Sequence, residues 1–214
     1  MEQAASAFPM LAADYPSDWK EQVRQLRNRM NLAQSEQSAT AGALQVITFT
    51  ALTCAGERFG TAANLALAMA AMQDTRVLVV DANLSAPSLH RGLRLTPGPG
   101  LCEATRASRA SLPACFRRVA GSQIYLLPAG EPSTGATDAF DLRGLYSLLH
   151  SLRPQFDWIL IDGPGFDTPA DAMAISMAAD GVIIMIQSEH DSFREVSKAL
   201  GQVQGRRMLG AVMF

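Results

Sequence analysis

Six short runs of consecutive apolar residues set the tightest limit on what this chain can fold into. They are Val46–Ala51, Val77–Ala82, Ile124–Leu127, Trp158–Asp162, Val182–Gln187 and Met208–Met213. Most are continuous and rich in Val, Ile and Leu, as strands covered on both faces must be. Between them lie stretches with helical spacing at Thr61–Met72, Asp141–Leu152, Pro169–Met177 and Ser192–Gln204. Gly, Pro and Asp gather at the ends of several runs, where the chain must turn. This alternation predicts an α/β domain, a three-layer sandwich around a mostly parallel central sheet.

Composition agrees. Of 214 residues, 48% are hydrophobic and 18% charged, enough to bury a full core and too apolar for a disordered chain. No apolar run reaches the roughly 18 residues of a membrane span. The start, MEQAASAFPMLAADYPS, lacks the basic and then apolar order of a signal peptide. No membrane insertion is expected. A net charge of -2 argues against nucleic acid as a partner. Cys54, Cys102 and Cys115 form no C-x-x-C pair, so reduced thiols and no metal site are expected, in a cytoplasmic setting. Only two of the 18 basic residues, Lys20 and Lys198, are lysines.

Residues 1–16 read as a loose tail. Residues 17–34 read as a helix capped by Ser17, with Val23, Leu26 and Met30 on one face and Glu21, Arg24 and Arg27 on a polar stripe. Residues 35–44 are polar and read as a linker; 45–214 form the α/β domain. The arginines of Arg106–Arg118 suggest a solvated helical face. The methionines Met69, Met72, Met173, Met177, Met185, Met208 and Met213 fall in apolar stretches and are assigned to the core. Among the tyrosines, Tyr125 is assigned to the core and Tyr15 is the obvious exposed one. His90, His150 and His190 are read as surface or packing residues.

Three strand ends hold the candidate chemistry, since ligands of such sheets bind beyond the carboxyl ends of the strands. The first run leads into Gly56-Glu57-Arg58-Phe59-Gly60-Thr61 and a helix. A glycine-bearing turn at a helix start cradles phosphate with its free N–H groups. The second run ends at Asp81, followed by Asn83, and the fourth at Asp162. An acid closing a hydrophobic strand orients the magnesium of a nucleotide. Three such segments in this order outline a P-loop NTPase.

The chain resembles the cytoplasmic bacterial tyrosine kinases of capsule and exopolysaccharide export, relatives of the partitioning-type P-loop ATPases. Their P-G-E-G-K-S-T-x-A-A-N-L-A is matched by residues 55–66. Their D-x-D-x-R-x-P-S-L-H corresponds to Asp81 through His90, and their L-P-A-G to Leu127 through Gly130. Their F-D-x-h-h-h-D-x-P-P corresponds to Phe156 through Gly165, and their A-D-G-V to Ala179 through Val182. The oligomerisation signature E-x-x-R-x-x-R is matched by Glu21, Arg24 and Arg27.

The departures matter most. Where the motif has glycine, lysine and serine, this chain has Arg58, Phe59 and Gly60; the second acid is Asn83 and the arginine after it is Ser85. Lysine reaches the β and γ oxygens and Ser/Thr holds magnesium, so both functions are missing from their places. Thr61, Asp81 and Asp162 remain, read as a helix cap and strand-end acceptors. The expectation is a pseudokinase with no catalytic residue and no cofactor. The resemblance implies a scaffold or regulator of polysaccharide export, with the cytoplasmic tail of a membrane polysaccharide copolymerase as partner. It implies recruitment to the inner face of the plasma membrane and self-association, or association with a related subunit. Two alternatives stay open: an active autokinase or ATPase with Arg58 as phosphate clamp, and a partitioning-type positioning protein.

Overall fold

The computed structural model describes residues 17–37, 44–52, 61–70, 75–107, 111–131, 142–187, 191–203 and 207–213. In chain order these form α1 (Ser17–Gln37), β1 (Val46–Ala51), α2 (Thr61–Ala70), β2 (Val77–Asp81), α3 (Leu89–Gly92), α4 (Leu101–Ala104), β3 (Arg117–Arg118) and β4 (Ile124–Leu127). They continue with α5 (Leu142–Leu152), β5 (Trp158–Asp162), α6 (Pro169–Ala178), β6 (Gly181–Ile186), α7 (Phe193–Gln202) and β7 (Met208–Met213). The strands form one seven-stranded sheet, order β3-β4-β2-β5-β1-β6-β7. Every pairing is parallel except β3 with β4.

Strand order decides which layer each helix joins. Crossovers between parallel strands are right-handed. The path from β1 to β2 runs one way across the sheet, whereas β4 to β5, β5 to β6 and β6 to β7 run the other way. Accordingly α2 lies on one face and α5, α6 and α7 on the other. Ile47, Phe49, Val77, Val79 and Leu160 pack with α2, and Met30 of α1 joins that cluster. Val46, Leu78, Val80, Ile159 and Ile161 pack with α5 and α6. Every residue of β1, β2 and β5 is buried, the physical reason for their unbroken apolar character.

Helix α1 buries Val23, Leu26 and Met30 as its spacing requires, and runs on to Gln37 rather than ending near Gln34. Gln34 Nε2 donates to the Leu44 carbonyl at 2.9 Å, so the end of the helix is tied to the start of the sheet domain. The tail 1–16 and residues 38–43 of the linker lie outside the described residues. The amino-terminal edge of the sheet is braced by Asp180. Its carboxylate accepts from the N–H groups of Gln45 (3.0 Å) and Val46 (2.7 Å), and from Arg153 at 2.9 and 2.5 Å.

Several expectations need correction. Arg106–Arg118 is not one helical face: α4 ends at Ala104, Leu112–Cys115 is a 3-10 turn, and Arg117 and Arg118 form an edge strand paired with Leu126 and Tyr125. Two residues are too short a strand to show a period. Tyr125 is half-buried, edge-on to Phe156, with the Arg118 guanidinium over its ring. Tyr146 is 44% exposed, so Tyr15, outside the described residues, is not the sole candidate. Met69 and Met185 are core, but Met173, Met177 and Met213 are exposed, because α6 and β7 turn an apolar side outward. Met208 is half-buried, and Met72 lies outside the described residues. His90 is half-buried and His150 exposed; His190 lies outside. Cys102 and Cys115 are buried free thiols, which burial pushes up in pKa and away from reactivity; Cys54 lies outside the described residues.

Candidate functional site

The sheet brings two of the expected residues side by side. Asp81 ends β2 and Asp162 ends β5, and they are register partners across the β2–β5 ladder. Strand alternation puts both on the α2 face, in phase with Val79 and Leu160. Thr61 is the first residue of α2, whose start lies over this same edge; its side chain lies outside the described residues, as do Gly56, Glu57, Arg58, Phe59 and Gly60.

Asp81 has no exposure, and one carboxylate oxygen accepts from the Ser88 and Leu89 N–H groups, both at 3.0 Å. It thereby ties β2 to the start of α3, as a strand-end acceptor. Burial pushes its carboxyl above the ordinary range, against the N–H groups of Leu89, Ser88 and Asn83, which favour the ionised form. Its other oxygen is buried with no hydrogen-bond partner, and so is the amide oxygen of Asn83. Asp162 is buried at 8% exposure, and its carbonyl accepts from the Ala82 N–H at 2.9 Å.

A residue that sequence reasoning passed over as a site group joins this edge. Asn64, in the first turn of α2, is 1% exposed, and neither atom of its amide has a partner. An amide among the alanines and leucines of a buried helix was the available signal. Such orphaned groups normally cost free energy unless something meets them. Toward a magnesium nucleotide, the described edge thus offers oxygens of Asp81, Asn83 and Asp162. Among the described residues, no three His, Cys, Asp or Glu side chains gather as a metal site.

Beside this edge, the L-P-A-G turn is locked to α4. Leu101 N–H donates to the Pro128 carbonyl at 2.7 Å and Cys102 N–H to the Ala129 carbonyl at 3.1 Å. Glu103 accepts from the Gly100 and Glu131 N–H groups at 2.7 and 3.0 Å. Gly130 has φ +80, and a Cβ on Gly100 would overlap the Pro128 carbonyl, with Gly130 N at 2.5 Å. Gly100→Ala should therefore cost about 1–3 kcal/mol, the range for forced overpacking. Thermal unfolding checks this; an unchanged melting temperature would show that the turn yields.

The polar stripe of α1 is satisfied within the chain. Arg24 donates to both carboxylate oxygens of Glu21 at 2.8 Å, and Gln25 adds a third bond at 3.1 Å. Arg27 reaches the Ala68 carbonyl of α2 at 3.4 Å. The hydrogen bond from Arg24 lowers the Glu21 pKa to about 2. A depressed carboxylate stabilises the fold above its ordinary pKa, and that contribution is lost as pH falls through about 2. An NMR titration of Glu21 should find its midpoint there, and Arg24→Ala should return it towards the ordinary range.

Residues 45–204 match the family described as cellulose biosynthesis protein BcsQ. The chain belongs to that family. Among relatives of this BcsQ-family chain, tyrosine-protein kinase YwqD of Bacillus subtilis is 26% identical over 164 residues, 75% of this chain and 68% of YwqD. Succinoglycan biosynthesis transport protein ExoP of Rhizobium meliloti is 30% identical over 129 residues, 59% of this chain. The match spans 16% of the length of ExoP. The kinase domain of Escherichia coli tyrosine kinase ETK superposes with a TM-score of 0.78 at 20% identity, covering 96% of this chain and 79% of that one. The P-loop-type fold and the resemblance to bacterial tyrosine kinases of polysaccharide export thus agree with the relatives found. No described helix is long and apolar enough to cross a membrane.

Proposed function

We propose that this BcsQ-family chain is a catalytically degenerate, tyrosine-kinase-like protein that serves polysaccharide biosynthesis or export as a cytoplasmic scaffold or regulator. The observation that carries the reading is the triplet Arg58-Phe59-Gly60, which occupies the places of the phosphate-binding glycine, lysine and serine. Asp81 supports it: the carboxylate that would serve magnesium is desolvated and held by two backbone N–H groups as a structural brace. The residues present do not fit a magnesium triphosphate, and no reaction step is assigned to them.

The partner in this reading is the cytoplasmic tail of a membrane polysaccharide copolymerase, which would bring the protein to the inner face of the membrane. The family description makes cellulose the first polymer to test. Deleting the gene should change polymer yield or chain length, and a variant with Asp162→Ala should restore it. Failure of that variant to restore export, with its fold intact, would favour an active enzyme in which Arg58 clamps phosphate.

Self-association, or association with a related subunit, through α1 belongs to this proposal. A bidentate Arg–carboxylate contact buried at an interface typically costs about 2–5 kcal/mol when one partner is truncated. In the free chain the same groups form an exposed i,i+3 pair of the weak, solvent-screened kind, so exchange for an intermolecular contact is open to them. Replacing Arg24 and Arg27 by Ala should lower the assembled mass in light scattering, with or without the copolymerase tail. A wild-type protein monomeric under every condition would refute it.

A further inference from the structure

Two hydroxyls deep in the fold lack partners. Thr48 on β1 is 1% exposed and Ser176 on α6 is 2% exposed, and neither hydroxyl oxygen has a hydrogen-bond partner. Buried polar groups are normally satisfied, so each calls for a partner that the chain does not supply. The fold sets the two opposite each other. Helix α6 connects β5 to β6, and β1 lies between those strands, so the helix crosses over β1 and contacts it. Thr48 points to that side, in phase with Val46, which packs in the same cluster as Ile175 and Ala178. Ser176 lies on the buried stripe of α6 with Ala172 and Ile175.

Their depth along the strand agrees. Ahead of α6, Thr50 Oγ1 donates to the Pro164 carbonyl at 2.7 Å; just past it, the Asp180 N–H donates to the Val46 carbonyl at 2.7 Å. Ser176 is four residues before Asp180, about 6 Å along a helix axis, and Thr48 is two residues beyond Val46, about 6.6 Å along a strand. Gly163 leaves room beside them. A Cβ there would lie 3.0 Å from both Thr48 Oγ1 and the Phe49 carbonyl oxygen, with Ile175 Cγ2, next to Ser176, at 3.9 Å. The surroundings select the occupant. Ile161 and Val182 flank Thr48 on the neighbouring strands, and Val46 and Ile175 complete an apolar wall. Asp162 is in register with Phe49, on the opposite face of the sheet. An ion would find no countercharge there among the described residues, and an apolar group would leave both hydroxyls unmet. A small neutral molecule that both donates and accepts fits the spot.

We propose that Thr48 and Ser176 hold one buried water between them, with the Phe49 carbonyl as its third partner, joining α6 to β1 beside the turn that follows Asp162. A water with about three such bonds is an integral part of a structure. The site rests neither on the pathway reading nor on α1. A crystal structure that resolves ordered water should show a density peak within about 3.2 Å of both hydroxyls. Urea unfolding of Thr48→Val, Ser176→Ala and the double variant tests the bridge in solution. Each single change should lower the folding equilibrium constant by about three- to tenfold. The double variant should lose clearly less than the product of the two, because either change breaks the same bridge. Thr48→Ser keeps the hydroxyl and should keep the peak. No peak in the wild-type chain, or a direct hydrogen bond between the hydroxyls, would overturn the proposal, and so would losses that simply multiply. Should one substitution prevent folding, the wild-type density alone decides.

Discussion

Titrating ATP and magnesium into the purified protein should release no binding heat. A charge-assisted contact contributes about 1.5–3 kcal/mol, so losing the lysine alone removes about tenfold to more than a hundredfold in affinity. In the register of the motif Phe59 stands at the lysine position, and Gly60, at the serine position, has no hydroxyl for magnesium. The reverse substitutions make the stronger test. Arg58→Gly with Phe59→Lys and Gly60→Ser restores the phosphate-loop motif in a chain that still carries Asp81 and Asp162, and binding should rise by at least about a hundredfold. A micromolar dissociation constant for the wild-type chain would overturn the reading. In that event Arg58→Ala becomes decisive, since loss of binding would assign the phosphate clamp to the arginine.

Replacing Asp180 by Ala should produce the largest loss of stability among the single changes considered. The carboxylate meets four donors: two backbone N–H groups at the start of β1 and two nitrogens of Arg153. Val46 has no exposure, so water cannot replace its lost acceptor. Arg153 and Asp180 side chains are 31% and 25% exposed, and a pair at that depth sits towards the lower end of the cost for breaking a buried ion pair. About 3 kcal/mol is expected, or roughly 6–12 °C in melting temperature. Asp180→Asn keeps one acceptor oxygen and should fall between. A loss below about 1 kcal/mol would place the pair among surface bridges of little consequence.

Much of this architecture was legible in residue order. Continuous apolar runs announced strands buried on both faces, and β1, β4, β5 and β7 begin and end where those runs do. Composition could do so because burying a strand on both sides leaves no alternation to disguise it. The strand-end acids were legible for a similar reason: a carboxylate closing an apolar run has few neighbours to satisfy it. The capping box of Ser192 and Glu195, with bonds of 2.9 and 3.3 Å, set the start of α7 at Phe193.

Other features needed the fold. No local pattern marks Arg117 and Arg118 as a strand, because its partner β4 supplies the pairing. Asn64 reads as one polar residue in a helix until α2 is laid on the sheet and its amide is left without a partner. Met173 and Met177 are apolar in the same way as Met69, and only the layer packing decides that one is enclosed while the others face outward. By itself the sequence determined an α/β sheet, its strand ends and which residue types, Arg58-Phe59-Gly60, follow the first strand, since these rest on hydrophobicity and residue chemistry along the chain. Tertiary structure decided which carboxylates are neighbours, which polar groups are stranded and which apolar face stays open. Those depend on strand order and crossover direction, which bring together residues that no local spacing relates.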